Sequence, residues 1–141
     1  MRLQRTSAAL ACAFALTIAA CGDNGPKVLT PQAVAGTYAA TTLLATTGGS
    51  TTNMLASGAS VTLILGIDGT TSGRLFVPAS ITPQVDAPLT GTWTFLNATD
   101  IDLASNSDTF LRDMLFTVSG NTLVGDQTFG AVRIQIVLTK Q

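Results

Sequence analysis

Every one of the eight acidic residues in this chain is an Asp, and there is neither Glu nor His. Without His, a Ser-His-Asp triad, an imidazole general base and a His-ligated metal are all excluded. Lys27 lies in a turn-rich lead and Lys140 at the extreme end, so no Lys is placed to activate a Ser. Asp100 and Asp102, two residues apart, fall on one outward face of a strand and read as solvated side chains. With Asn106 and Asp108 they make an oxygen-rich run suited to Ca²⁺, but the spacing lacks the glycine and terminal Glu of an EF-hand loop. No metal or cofactor is expected, and the chain reads as a non-enzyme. Arg74 and Arg112 remain, each inside an apparent strand, Arg112 between Phe110 and Met114. Pointing inward, a guanidinium there would clamp a ligand carboxylate in bidentate fashion; near a rim it would snorkel out to water.

The chain holds two cysteines, Cys12 and Cys21. Arg2 and Arg5 precede an apolar stretch from Ala8 to Ala20 that ends in small residues, the pattern of a secretory signal peptide. The stretch is too short to cross a hydrocarbon core of roughly 30 Å, which takes about 20 helical residues. Ile18-Ala19-Ala20-Cys21 resembles a bacterial lipobox; Cys12, inside the apolar stretch, is a poorer acceptor. The resemblance implies cleavage before Cys21, acylation of the new N-terminus with palmitate-type chains, and a membrane-anchored lipoprotein of the cell envelope with lipid as its partner. Gly22 after the cysteine resembles lipoproteins passed on to the outer membrane, facing the periplasm. Three parts follow: a signal peptide over 1–20, an anchored tether over 21–33 rich in turn residues, and a domain over 34–141. An acylated Cys21 leaves no thiol for a disulfide, a nucleophile or a metal.

From residue 21 onward the chain carries five basic and eight acidic residues. Such scattered positive charge offers no footprint for nucleic acid. About a hundred residues suffice to bury a core without staples, and abundant Thr with no Glu favours sheet over helix. Alternation supplies the elements. Val132, Ile134, Ile136 and Leu138 share a face, as do Val61, Leu63, Leu65 and Ile67, and as do Leu89, Gly91, Trp93 and Phe95. Asp68-Gly69 and Gly120-Asn121 read as two-residue hairpin turns. The expected strands are 34–45, 60–67, 70–77, 89–97, 99–104, 110–118, 122–128 and 131–139.

Eight strands joined in sequence predict an all-β, antiparallel up-and-down meander, closed or nearly closed into a barrel that leaves no free edge. In that order the long links 46–59, 78–88 and 105–109, with the turn at 129–130, share one rim, and only tight turns close the other. Long links around one rim make a mouth. The first strand starts at the tight-turn rim, so the tether leaves there and the mouth faces away from the membrane. Gly91-Thr92-Trp93 echoes Gly36-Thr37-Tyr38, an echo that strand entry after a turn explains without an internal repeat.

Val34-Ala35-Gly36-Thr37-Tyr38 entering the first strand, followed by a long first link and a run of hairpins, resembles the lipocalin-like superfamily of calycin barrels. Tyr38 stands where that superfamily carries Trp. The resemblance implies a plugged closed end, with Arg133 or Arg112 covering the ring, and a small hydrophobic or amphipathic ligand in the mouth. Tyr38, Trp93, Phe95, Arg112, Phe116, Met54 and Leu55 are the candidate ligand-binding residues. The alternative is a packed barrel whose long links, with Met54 and Leu55 exposed, contact another envelope protein as a structural or inhibitor-like module.

Overall fold

The computed structural model describes residues 28–81 and 83–141, so Cys21 and the apolar stretch before it lie outside the described residues. A four-residue helix α1 (Pro31–Val34) leads into β1 (Gly36–Thr47), β2 (Ser50–Asn53), β3 (Ser60–Leu65), β4 (Thr70–Val77), β5 (Val85–Pro88), β6 (Gly91–Phe95), β7 (Asp100–Ser105), β8 (Phe116–Ser119), β9 (Thr122–Phe129) and β10 (Val132–Lys140). Pairing is antiparallel throughout. Strands β1, β3, β4, β6, β7, β8, β9 and β10 follow one another around the sheet, and β10 returns to β1 from Tyr38↔Lys140 to Thr47↔Val132. The expected closed eight-stranded barrel is therefore formed, with β2 and β5 as two additional short strands.

Alternation on β10 survives intact, with Ile134, Ile136 and Leu138 buried and Val132 half-buried. On β1 it breaks, because Tyr38 and Leu43 are both buried yet five residues apart. A strand with period two cannot turn both inward. The register skips Thr41, passing from Ala40↔Leu138 to Thr42↔Val137, and this one-residue bulge restores the inward phase for Leu43 and Ala45.

Five expectations about the links and strands need correction. The first link is not a loop throughout: Gly48 and Gly49 both have positive φ (56° and 85°), and Thr47 pairs with Ser50 across them. That is the geometry of a two-residue hairpin whose twist matches its strands, and it adds β2. Met54 is not exposed but buried, its N–H donating to the Leu43 carbonyl at 2.9 Å, and Leu55 is half-buried against the core. The second link contains β5, which pairs with the end of β4 that β6 leaves uncovered. The segment 110–118 is strand only from Phe116; before it, Leu111 and Met114 are both buried three residues apart, a turn spacing. Finally, the turn at Asp68-Gly69 spans 66–69, with Gly69 alone in the left-handed region and the Asp68 carboxylate accepting from Thr70 N–H and hydroxyl at 3.1 and 2.7 Å.

The sorting of links by rim holds. Links 48–59, 78–90 and 106–115 and the turn at 130–131 stand at one end; turns 66–69, 96–99 and 120–121 stand at the other. Chain enters at the tight-turn end, inside the expected tether, through α1. Thr30 caps it by accepting from Ala33 N–H at 3.2 Å, and Pro31 opens it.

Candidate functional site

A cavity of about 440 Å³ opens at the long-link rim. Its apolar lining comes from Ala45 on β1, Met54, Leu75 and Val77 on β4, Ile81, Val85 on β5, Phe110, and Val132 and Ile134 on β10. Each strand reaches it with its inward-facing residues nearest that rim. The polar lining comes from two places. Thr47, Ser50 and Thr52 belong to the β1–β2 hairpin, whose in-register pairs Ala45↔Thr52 and Thr47↔Ser50 turn the same face to the cavity. The alternate pair, Thr46 and Thr51, bonds hydroxyl to hydroxyl at 2.8 Å on the other face. Asp108 and Thr109 come from link 106–115, which stands across the barrel from β1 in the strand order.

The Asp108 carboxylate meets the Arg112 guanidinium at 2.7 Å, and Arg112 also donates from Nε and Nη2 to Asp113 at 2.8 and 3.0 Å. These bonds hold the Asp113 carboxyl below the usual carboxylate range and push the Arg112 pKa up. Thr109 is buried, and its hydroxyl is the one buried side-chain polar atom among the described residues that has no partner.

The other end of the barrel is packed. Trp93 donates from its indole N–H to the Gly66 carbonyl at 2.8 Å and meets Phe95 edge-on, ring centres 5.2 Å apart. The Tyr38 hydroxyl donates to the Val34 carbonyl at 2.5 Å, tying α1 to β1. The cation over the Tyr38 ring is Lys140, 6.0 Å from its centre, and not Arg133 or Arg112. Lys140 also donates to the Ala33 carbonyl at 3.0 Å, so one side chain covers the plug and holds the helix. Arg133 instead pairs with Asp126 on the outer surface.

No protein-family model, curated protein or solved structure matches this chain. The cavity must therefore be read from its own chemistry. Of the residues expected to bind a ligand, Met54 lines the cavity, and Leu55 packs half-buried against the core without lining it. Tyr38 and Trp93 build the closed end, Trp93 and Phe95 bordering a shallower depression beside Pro31 and Ile67, and Phe116 is buried core. Arg112 lies in a turn, bonded to two carboxylates, and Arg74 points outward to Asp86 across β4 and β5. Neither is an inward guanidinium. Asp100 is engaged by Asn97, Thr99 and Thr117, and no group of three metal-ligating side chains occurs among the described residues.

Sequence reasoning missed the hairpin hydroxyls, Ile81, Val85 and the Asp108-Thr109-Phe110 wall. The signal for the first was present: Gly48-Gly49 between Thr-rich flanks is a hairpin dipeptide. For the rest, membership of the long links at the mouth was the only pointer.

Proposed function

We propose that this chain is a membrane-anchored envelope lipoprotein whose barrel holds a small hydrophobic or amphipathic molecule in its mouth. The observation that carries the reading is the cavity of about 440 Å³, within the size range of small-molecule sites and lined mainly by Val, Leu, Ile, Met and Phe. An eight-stranded barrel has an interior just wide enough for its own side chains or one small ligand. Here large residues fill one half: Tyr38, Trp93 and Leu123 pack the end where the tether enters and Phe116 and Met114 fill the middle beside Gly125, while Ala45, Val77, Val85 and Val132 leave space at the mouth.

The lipobox-like Cys21 supplies the anchoring part of the proposal. Several acyl chains, at about 0.8 kcal/mol per buried CH₂, make such attachment effectively permanent. With α1 at the tight-turn end, an anchored chain turns its mouth toward the aqueous side. Contact with an envelope protein through exposed Met54 and Leu55 has less support, since both side chains turn inward.

The test is native mass spectrometry of residues 28–141, produced in bacteria and purified without detergent. A co-purifying small lipid, or uptake of an added apolar amphiphile at one equivalent, is the expected result. A bare chain that takes up nothing would refute the binding reading. Anchoring is tested separately, by labelling the full chain with alkyne-palmitate and asking whether Cys21→Ser abolishes the label.

A further inference from the structure

Charge at the cavity narrows the head group of its ligand, an inference that rests on the binding reading above. Among the described residues that line the cavity there is no Lys or Arg, and the single ionisable side chain is Asp108. A hydrophobic chain ending in a carboxylate needs a cation or a set of free donors where its head emerges, or it leaves a charge poorly solvated beside apolar walls. The nearest candidate is Arg112, and it is already engaged: Nη2 reaches Asp108 at 2.7 Å, while Nε and Nη2 hold both oxygens of Asp113. The trio of two carboxylates and one guanidinium leaves a net charge of −1 at the mouth. The other strand arginines face away, Arg74 bonded to Asp86 and Arg133 to Asp126 on the outer surface.

Opposite this wall, the polar groups among the described residues are the neutral hydroxyls of Thr47, Ser50 and Thr52. A hydroxyl both donates and accepts, whereas an ionised carboxylate only accepts. The combined lining thus favours a head that brings hydrogen-bond donors of its own.

We infer that the mouth cavity selects single-chain amphiphiles with a donor-bearing head free of negative charge, an amine or an alcohol, and discriminates against fatty carboxylates. Asp108 is the specificity-determining residue. Arg112 restrains the selection by neutralising one of the two carboxylates and does not receive an anion.

The experiment uses the full chain, purified as the cell makes it and held in amphipol so that no detergent monomer competes. N-phenyl-1-naphthylamine serves as the fluorescent reporter, displaced by dodecylamine, dodecanol or laurate. Dodecylamine displaces it at a concentration about tenfold lower than laurate at low salt, with dodecanol between, and the gap narrows at high salt because Asp108 is exposed and screened. Asp108→Asn brings the amine to the level of the alcohol. Arg112→Gln widens the preference for amine. Laurate binding as tightly as dodecanol, or an Arg112→Gln variant that loses laurate and gains nothing for the amine, would overturn the inference while leaving the cavity a binding site. Failure of all three amphiphiles to displace the reporter would bring down the binding reading itself.

Discussion

Met114, reaching in from link 106–115, lays its thioether over the bare backbone of Gly125 on β9, where a β-carbon would collide with the sulfur and crowd Ile136. Met114 is fully buried, so this contact fastens the mouth's longest strand-free link to the barrel wall. Gly125→Ala is expected to destabilise the protein by about 1–3 kcal/mol through overpacking, measured by urea denaturation. An unchanged midpoint would mean that Met114 has another place to go and that the link is loosely held.

Filling the cavity separates binding from folding. Ala45 is half-buried at the cavity wall with open space before it. Ala45→Trp should abolish uptake of an apolar amphiphile while thermal stability stays level or rises, since the ring gains apolar burial without displacing a packed neighbour. Native mass spectrometry and a melting curve on the same sample make the comparison; retained uptake would place the ligand elsewhere.

Thr109 invites the opposite experiment. Its buried hydroxyl lacks a partner, and removing an unsatisfied polar group by an isosteric apolar one is neutral to stabilising. Thr109→Val is expected to add about 1 kcal/mol, a rise of roughly 4–8 °C in Tm for a domain of this size. A lower Tm would show that the hydroxyl makes a bond, to water for instance, that the fold needs.

Stability should be flat across neutral pH, because the chain contains no His. At the acid end, Asp86, Asp113 and Asp126 are held below the ordinary carboxylate range chiefly by hydrogen bonds from Arg74, Arg112 and Arg133. A depressed folded-state pKa contributes stability that is present above the unfolded value, about 3.9, and is lost as pH falls through the folded one. At the alkaline end, burial raises the Tyr38 phenol, so its contribution is full below about pH 10 and fades above. Circular dichroism melts against pH should trace a plateau bounded by these two edges. A step near pH 6.5 would contradict the assignment.

Much of the barrel could be read along the chain because period-two alternation is local. Val132 to Leu138 and Val61 to Leu65 announce their inward faces whatever surrounds them, and the order of short turns and long links sorts the rims once the meander closes. The bulge at Thr41 could not be read, since it answers to the register with β10, a strand about a hundred residues away. Nor could the turn over Phe110–Met114: an apolar run looks the same as strand or as packed link until one knows that Gly125 leaves room for Met114.

The cavity divides along the same line. Residue types alone exclude His-based chemistry, predict an all-β chain and put the long links at one mouth, for these follow from composition, propensity and connectivity. Which hydroxyls would face inward, and that Lys140 would cover Tyr38, were decided only when distant strands came into register. The volume left over is a property of side chains meeting across the barrel, and that meeting depends on closure.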